Sequence, residues 1–435
     1  MRRALRSSAA TLTAVSALLL VGCGADSGTE NVFGGGGWPG MHADARNSDT
    51  SGVTGPRTPE FTWSRPVGAP TPVRATVAAN GQVFLTSQAG EGCNLLSFQL
   101  DSGRKRWCVW TGPGAATSSP IVDDRTNVYV GTEGAMSSFD QRGQLRWFRP
   151  VTGTPLSAQF TGDGRLLFVT HLGQIVILDP QTGDRVAAPY DLIPPASFTQ
   201  DANVDPVPNG LGLDACFDGG PACPVANPPA IDLGNGRFVL TFTRPGESRA
   251  DLVAMQYTGG DSPRIEPVWS TTTLDDGPAG APVLSADGAT VYANDNAGQL
   301  WAVDAETGTP KWSHDLGYRP LDGPSVSADG LIVPAGGENA HLIALRDRGD
   351  SVETVWERDD LAPVGGAAQT AGGTGHTTVR GSDGGVTLLT FDLGTGETLD
   401  QDVLPGATGF TAGTSIGPDG EILTPTLIGE LFVLK

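Results

Sequence analysis

The sequence predicts an all-β protein that folds as an eight-bladed β-propeller. One short pattern recurs along the chain at intervals of roughly 40 residues, which is the spacing of a repeated β unit. Glycine and proline are abundant, and the phase of the repeat at the two chain ends allows the last unit to close on the first. Together these features favour a closed ring of small sheets over an ordinary enzyme domain.

The repeated pattern is clearest at residues 302–312. An apolar strand ends there at Asp304, a turn follows at Thr307 and Gly308, and Trp312 lies in the closing strand. A large planar side chain can fill the gap between neighbouring blades while its ring N–H donates to a carbonyl. The same closing position recurs in eight units, at Trp63, Trp107, Trp147, Val186, Trp269, Trp312, Trp356 and Leu399.

Composition supports this interpretation. The chain has 61 glycines and 33 prolines among 435 residues, and these are the residues that tight turns require. Such a composition argues against a helical bundle. Apolar, strand-like runs recur along the whole chain, which argues against disorder.

The two chain ends predict how the ring closes. The last unit has three strands and stops at Lys435, whereas residues 61–64 form a closing strand with no unit before them. An incomplete final blade would leave a long unpaired edge, which folded proteins avoid. We therefore expect the N-terminal strand that contains Trp63 to complete the eighth blade.

The N-terminus has the features of an export signal. Three arginines precede an apolar stretch at 9–21 that is too short to span a bilayer, and Leu20-Val21-Gly22-Cys23 resembles a bacterial lipobox. We expect 1–22 to be a lipoprotein signal peptide and Cys23 to carry the lipid. The alternative is an ordinary secretory signal followed by a coincidental cysteine.

The rest of the N-terminal region divides at residue 38. The Gly/Ser-rich and acidic composition up to residue 37 is typical of a flexible tether, so 23–37 would be the lipidated cysteine and its tether. The propeller would then occupy 38–435. Within it, 47–59 is predicted to be a loop.

Four cysteines remain in this exported chain, and an even number favours disulfides. Cys93 and Cys108 flank a predicted hairpin, and Cys216 and Cys223 bracket a short Gly/Pro loop. Three connectivities are possible, of which the local pairing is favoured. Free buried thiols are the alternative.

One interval of the repeat is broken, because 187–228 contains no long β run. We interpret this stretch as an insertion between the third and fourth blades. Asp201, Asn203 and Asp205 have the spacing of oxygen ligands in a Ca²⁺ loop, but Pro206 replaces the glycine that such a loop needs. A solvated acidic loop is favoured, and no metal is predicted.

Charge restricts the classes of partner. The net charge is −21 and no cluster of Lys and Arg matches a phosphate backbone, so nucleic acid is excluded as a partner. Arg125, Arg142, Arg146 and Arg149 make the second repeat unusually basic. They predict either a protein-docking patch or a solvated edge.

The turn-and-tryptophan motif at 302–312 resembles that of the PQQ-repeat propellers, and the resemblance extends over 38–435. Together with the lipobox, it is most similar to the BamB-type lipoproteins of the outer-membrane β-barrel assembly machinery. That resemblance implies a non-catalytic scaffold without a cofactor, which binds envelope proteins through its loops. It implies a lipid-held location at the extracytoplasmic face of the cell membrane.

The enzymes of this family are quinoprotein alcohol and glucose dehydrogenases. The alcohol dehydrogenases have an adjacent Cys-Cys pair over the quinone and a Ca²⁺ site with an Asp base, and this chain has no adjacent cysteines. We therefore expect a monomeric scaffold rather than an enzyme. The alternatives are a module that binds or senses a small ligand in the channel and, less favoured, a PQQ-dependent dehydrogenase.

Overall fold

The computed structural model describes residues 36–193, 209–218 and 223–435, which form eight β-sheets arranged as a propeller. The predicted fold class is therefore confirmed. The predicted lipid site Cys23 and the candidate ligands Asp201, Asn203 and Asp205 lie outside the described residues. Within the described part of the chain, no helix is long and apolar enough to cross a membrane.

The first half of the chain contributes two early strands and blades 1 to 4. A 3₁₀ turn (Ala115–Thr117) follows blade 1, and a one-turn helix α1 (Ala215–Asp218) precedes blade 4. The strands are β1 (Thr50–Thr54), β2 (Phe61–Pro66), β3 (Thr76–Val77), β4 (Gln82–Thr86), β5 (Leu95–Gln99), β6 (Lys105–Val109), β7 (Ile121–Val122), β8 (Val128–Thr132), β9 (Ala135–Phe139), β10 (Leu145–Pro150), β11 (Gln159–Phe160), β12 (Leu166–Val169), β13 (Gln174–Leu178), β14 (Tyr190–Asp191), β15 (Ala230–Ile231), β16 (Arg237–Thr243), β17 (Ala250–Thr258) and β18 (Arg264–Leu274).

The second half contributes blades 5 to 8. Its strands are β19 (Val283–Leu284), β20 (Thr290–Asn294), β21 (Gln299–Asp304), β22 (Pro310–Asp315), β23 (Ser325–Val326), β24 (Leu331–Val333), β25 (Leu342–Asp347), β26 (Val352–Arg358), β27 (Ala368–Ala371), β28 (Thr374–Arg380), β29 (Gly385–Asp392), β30 (Thr398–Thr408), β31 (Ser415–Ile416), β32 (Ile422–Pro425) and β33 (Glu430–Leu434).

The ring closes as the sequence predicts. Blade 8 has the strand order β2-β33-β32-β31, so a strand from the beginning of the chain completes the last sheet. Trp63 lies opposite Val433, and Arg65 lies opposite Leu431. The outer edge of the final blade is thereby paired, and the N-terminal closure of the ring is confirmed.

The propeller has two distinct faces. In each blade the short first strand lies innermost, next to the first strands of the neighbouring blades, and the strands then run antiparallel outwards. Connections between strands 1 and 2 and between strands 3 and 4 therefore lie on one face, which we call the turn face. Connections between strands 2 and 3 and between successive blades lie on the opposite face, which we call the funnel face.

Each predicted tryptophan contacts the turn of the following blade. Five of the six indoles donate to a backbone carbonyl at the end of the next blade's third strand, and Trp312 donates instead to the Asp347 carboxylate. The acceptors are Leu100 O for Trp63 (2.7 Å), Gln141 O for Trp107 (2.9 Å), Pro180 O for Trp147 (2.9 Å), Ala305 O for Trp269 (3.0 Å), Leu393 O for Trp356 (2.8 Å) and Asp347 Oδ1 for Trp312 (2.9 Å).

The two units that lack tryptophan each precede an atypical blade. Val186 closes blade 3 and Leu399 closes blade 7. Blade 4, which follows Val186, has a hairpin at 259–263 in place of the Asp-x-x-Thr-Gly turn, and blade 8 joins the two ends of the chain at this position. Both units that lack the tryptophan therefore precede a blade whose connection between strands 3 and 4 is unusual, although Trp312 shows that an indole can also bond to a turn of another type.

The insertion between blades 3 and 4 starts later than predicted. The Val186 amide donates to Ile177 O at 2.9 Å, and Tyr190–Asp191 then forms the outer strand of blade 3. The predicted insertion at 187–228 therefore includes five residues that still belong to blade 3. A two-residue strand is too short to be recognised from sequence periodicity.

The prediction that 47–59 is a loop is wrong for its first part. Strand β1 pairs in parallel with β27, the innermost strand of blade 7. It ends a longer stretch, residues 38–54, which runs around the inside of the ring and which we call the inner segment. This stretch has no repeat partner, so the repeat did not reveal its structure.

The inner segment pairs with the innermost strands of six blades. In each case an inner-strand amide that faces the channel donates to a carbonyl of the inner segment. The pairs are Val77 to Trp38 (2.8 Å), Val122 to Pro39 (2.9 Å), Ile231 to Ala45 (2.6 Å), Leu284 to Arg46 (3.0 Å), Val326 to Ser48 (2.8 Å) and Gln369 to Asp49 (3.0 Å). These bonds satisfy backbone donors that would otherwise be buried without a partner.

Both disulfides follow the local pairing. Cys93 is bonded to Cys108, and Cys216 to Cys223. The first joins the connection between β4 and β5 to the outer strand β6. The second closes a short loop within the insertion, so both pairs are structural.

The contact between tryptophan and turn predicts a specific stability effect at Gly308. Gly308 has φ +74°, and a Cβ there would lie 2.6 Å from the Trp269 ring, whereas Gly317 has φ +73° with open space around it. Both alanine variants incur the left-handed backbone penalty of about 1 kcal/mol. We expect Gly308→Ala to lose about 1–3 kcal/mol more because the indole must move.

Urea unfolding of the two variants measures this difference, with Gly317→Ala as the matched control. Equal losses of unfolding free energy would show that the indole does not pack on the turn as described.

Candidate functional site

The main cavity is a funnel at the centre of the funnel face. Its volume is about 420 Å³. Every blade-to-blade connection contributes to its wall, represented in ring order by Pro70, Ala116, Ser157, Asn227, Pro278, Pro320, Gly366 and Thr411. Prolines and small residues dominate, so the wall is formed largely by backbone and short side chains.

The inner segment closes the bottom of the funnel. Met41 and Asp322 form part of the floor, and Trp38 below them is fully buried. The segment is held near the turn-face end of the channel because it pairs with the second residue of most inner strands, as at Val77 and Val326. The cavity is therefore a basin that opens on one face only.

A buried cluster of charges fixes the inner segment at this floor. Arg74 Nη1 lies 2.8 Å from Asp49 Oδ1, and Arg74 Nη2 lies 2.9 Å from Asp322 Oδ2. His42 Nδ1 lies 3.1 Å from the Asp49 carboxylate, while His42 Nε2 lies 3.7 Å from Asp322. The cluster thus joins two residues of the inner segment to the connections that precede blades 1 and 6.

Electrostatics favour a protonated His42. Burial opposes the imidazolium, but the Asp49 and Asp322 carboxylates outweigh it and raise the pKa of His42. Burial also raises the pKa of Asp49, although Arg74 and His42 oppose that shift. With His42 protonated, two cations balance two carboxylates, which limits the cost of burying them.

These same groups could be mistaken for a metal site. Ligand atoms of His42, Asp49 and Asp322 lie within 4.8 Å of one another. However, the Arg74 guanidinium already contacts both carboxylates, so a cation is in place between them. We therefore describe the group as an ion-pair cluster.

The backbone of the inner segment is strained where it turns inside the ring. Ala43, Asn47 and Asp49 have φ values of 67°, 58° and 52°. Asn tolerates this left-handed conformation better than other residues, and the fully buried Asn47 side chain donates to Pro282 O at 2.9 Å and accepts from Gln159 at 2.6 Å. Contacts with blades 3 and 5 thus hold a conformation that costs free energy locally.

The rim of the funnel has an uncharged part and an acidic part. The connections 67–73, 110–120, 151–158 and 409–414 contain no charged residue, and we call them the uncharged arc. Blades 4 to 6 carry exposed or half-exposed carboxylates that we call the acidic arc: Glu247, Asp275, Asp276, Glu338, Asp359 and Asp360. Arg249 and Arg358 on this side pair with Asp275 and Asp360.

Large apolar side chains are exposed around the same rim. Trp110 is 45% exposed and Ile428 is 61% exposed beside the uncharged arc, and Leu321 is 44% exposed at the acidic side. Large apolar side chains usually pack into the core of a blade. Where several are exposed around one basin, they are typical of an interaction surface.

The described parts of the insertion lie on this rim. Cys216 lines the funnel, and Asn209 Oδ1 accepts a hydrogen bond from the Gly153 amide at 2.8 Å. His171 Nε2 lies 3.0 Å from Leu211 O, and burial lowers the pKa of His171. Blades 2 and 3 thus hold the insertion against the funnel wall.

Two of the four arginines that predicted a basic docking patch have an internal role. Arg146 Nη2 donates to Gln181 Oε1 at 2.7 Å, and Arg149 Nε donates to Gly183 O at 2.5 Å, and both acceptors belong to the next blade. These two side chains join blades 2 and 3. Sequence reasoning missed His42 and Arg74 at the floor, because neither residue belongs to the repeat.

The charge cluster predicts a pH dependence of stability. A histidine whose pKa is raised in the folded state stabilises below its unfolded pKa, and this stabilisation is lost as pH rises through the folded pKa. We therefore expect the advantage of the wild type over His42→Gln to be largest below about pH 6.5, the ordinary pKa of histidine, and to shrink as the pH rises above it. Asp49, Arg74 and Asp322 are the charged groups that face this imidazole.

Urea unfolding at pH values below and above this point tests the expectation. His314→Gln, on an outer strand, is the comparison: burial lowers the pKa of His314, so the stability of the wild type relative to this variant should rise with pH, opposite to the trend for His42→Gln. An advantage of the wild type over His42→Gln that stays constant with pH would contradict protonation of His42 in the folded state.

Comparison with known proteins supports a single family. The family model described as outer membrane protein assembly factor BamB matches residues 54–187 and 262–418, on both sides of the insertion. Protein Rv3035 of Mycobacterium tuberculosis (strain ATCC 25618 / H37Rv) is 37% identical over 416 residues, which cover 94% of this chain and 98% of that protein. BamB of Yersinia pestis is 24% identical over 274 residues, or 61% of this chain and 59% of that protein.

Solved structures show the same architecture. BamB from Moraxella catarrhalis aligns with a TM-score of 0.58 and 18% identity over 87% of this chain and 100% of that one. A europium-containing methanol dehydrogenase also aligns with a TM-score of 0.58, at 13% identity over 92% of this chain and 98% of that one. At these identities the likeness establishes the propeller fold, and the chain belongs, through the match to its family model, to the BamB family of propellers with PQQ-like repeats.

Proposed function

We propose that this protein is a lipid-anchored scaffold on the extracytoplasmic side of the cell membrane, and that it docks other envelope proteins on its funnel face. The observation that carries the proposal is the inner segment. Because residues 38–54 fill the turn-face end of the channel, an open basin with a broad rim remains. Such a rigid surface made of many short connections suits protein docking.

The rim indicates the chemistry of the partner. Exposed Trp110, Leu321 and Ile428 would contact apolar side chains, and large aromatic residues are favoured at interfaces. The acidic arc would attract basic side chains and speed their encounter. We therefore propose a partner surface that presents apolar residues with lysine or arginine beside them.

The anchor rests on the sequence. The apolar stretch at 9–21 followed by Cys23 has the order of a lipoprotein leader, and no charge-based attachment is available to a chain of net charge −21. Relatives named outer membrane protein assembly factor BamB belong to the same family. These points support an attachment through acyl chains at Cys23.

We propose that the protein is not an enzyme of the quinoprotein type. Pyrroloquinoline quinone carries several carboxylates and needs cationic or donor groups around it. Among the described residues that line the funnel, Arg319 supplies a cation near the rim, while Asp322 places a carboxylate at the floor. With one cation near the rim and a carboxylate at the floor, the described lining does not fit a polyanionic quinone.

A second candidate function is binding of a small ligand in the funnel. A volume of about 420 Å³ lies within the range of ligand pockets. A thermal-shift screen of metabolites against the full chain separates the two functions, because a ligand that binds the folded state raises the melting temperature. A saturable shift that Leu321→Asp removes would favour the ligand.

Charge reversal on the two faces tests the docking proposal. We expect Glu247→Lys, Glu338→Lys and Asp359→Lys together to reduce the recovery of partner proteins by about tenfold or more, because they repel basic side chains at the acidic arc. The matched control is Asp101→Lys, Asp261→Lys and Asp350→Lys, which makes the same change in net charge on exposed residues of the turn face.

Proximity labelling from the native membrane followed by mass spectrometry measures the recovery. Equal loss in both triple variants would assign the effect to net charge, and unchanged recovery in the funnel-face variant would place docking elsewhere. Either result contradicts docking at the acidic arc.

A further inference from the structure

The path of the N-terminal chain places the proposed anchor on one side of the ring. Gly36 lies beside Pro418, with 3.8 Å between a Cβ built at Gly36 and the Pro418 Cβ, and Pro418 belongs to the turn between β31 and β32. Trp38 then bridges Val77 at the innermost strand of blade 1. The chain therefore enters at the turn face and close to the axis of the ring.

The chain also leaves the inner segment on this face. A Cβ built at Gly420 would lie 3.0 Å from Thr54 O, and Gly420 is in the same turn as Pro418. The chain continues to Glu60, whose carbonyl accepts the Lys435 amide at 3.0 Å, at the outer strand of blade 8. Both ends of the inner segment thus lie opposite the funnel.

The length of the tether limits how the ring can turn. Twelve residues, 24–35, separate Cys23 from Gly36, and this link spans at most about 45 Å when fully extended. A Gly/Ser-rich chain of this length has a root-mean-square span of only about 20 Å. The tether can therefore reach a membrane at the turn face without being stretched.

To reach a membrane at the funnel face, the tether would have to follow a much longer path from Gly36. The tether would first cross a four-stranded blade, which is about 14 Å for three strand spacings. It would then follow an outer strand such as β2, with six residues or about 20 Å, and pass the connections at both rims. This path requires nearly the full extension of the tether, which is entropically unfavourable.

We propose that the tether orients the propeller with its turn face toward the membrane and its funnel face toward the aqueous compartment. This inference rests on the proposed lipid anchor at Cys23. The docking partner is then the extramembrane part of a protein, because the funnel, its apolar rim and the described residues of the insertion, 209–218, all lie on the side away from the lipid.

The surface of the turn face provides no attraction of its own for the bilayer. Exposed carboxylates are spread over it, at Asp101, Asp261, Glu306, Asp350 and Glu397. Such a face does not adhere to anionic lipid. The tether rather than a membrane-binding surface sets the orientation, and the ring stands off from the bilayer.

Blade 4 offers a matched pair of positions for the test. Asp261 and Glu247 are both exposed, and they lie beyond opposite ends of β17, a strand of nine residues that spans about 30 Å. The native Cys93, Cys108, Cys216 and Cys223 are held in disulfides. Asp261→Cys and Glu247→Cys therefore each provide one labelling site on the full lipidated chain.

The measurement is energy transfer from a fluorophore at either site to acceptors on lipid headgroups in vesicles of phosphatidylethanolamine and phosphatidylglycerol. We expect the transfer efficiency at position 261 to be at least about twice that at position 247, because the two sites differ by the length of β17. Equal efficiencies, or a higher efficiency at position 247, would overturn the proposal. The second result would show that the apolar rim binds lipid.

Two controls separate the orientation from the anchor. Doubling the tether by inserting twelve further Gly/Ser-rich residues should make the transfer efficiencies at positions 261 and 247 similar. A difference that persists would show that something other than tether length sets the orientation. Cys23→Ser should abolish vesicle association. If it does not, the proposed lipid anchor fails and the orientation fails with it.

Discussion

The structure depends on the pairing between the inner segment and the innermost strands of the blades. Each of those strands has two to four residues and one edge that faces the channel. Without a partner, the inner-strand amides of six blades would be buried and unsatisfied, which costs free energy at each of these blades. One strained stretch of chain, fixed by Arg74, His42, Asp49 and Asp322, supplies the acceptors and seals the channel. The funnel, its rim and the exit of the tether all follow from this path.

The fold was predictable because the contacts that hold it are repeated. In five of six cases a tryptophan in one blade packs on a glycine turn of the next, so both appear at a fixed spacing that the sequence displays, as at Trp269 and Gly308. Closure by Trp63 was predictable for the same reason, since the phase of the repeat leaves one strand over at each end. The blade that follows Val186 has a hairpin at 259–263 in place of the usual turn, and its position is visible only in the structure.

The functional site was much less predictable, because its parts occur once. His42 and Asp49 are far in sequence from Asp322, and ion pairs between distant residues leave no periodic signal. The inner segment contains only one short strand, β1, so its sequence shows no strand periodicity and resembles that of a loop. Arg149 is a related case, because the sequence left it as part of either a docking patch or a solvated edge, and in the fold it donates to Gly183 O of the next blade. Contacts made once depend on the assembled ring and cannot be inferred from local pattern.

Native-state hydrogen exchange of the inner-strand amides tests the central claim most directly. The amides of Val122, Ile231, Leu284 and Val326 come from four blades, and all donate to the inner segment. If that segment seals the channel, these amides will be protected with similar opening free energies and will lose protection together when the inner segment is displaced. Exchange at the rate of exposed loop amides, or protection that differs from blade to blade, would contradict the account.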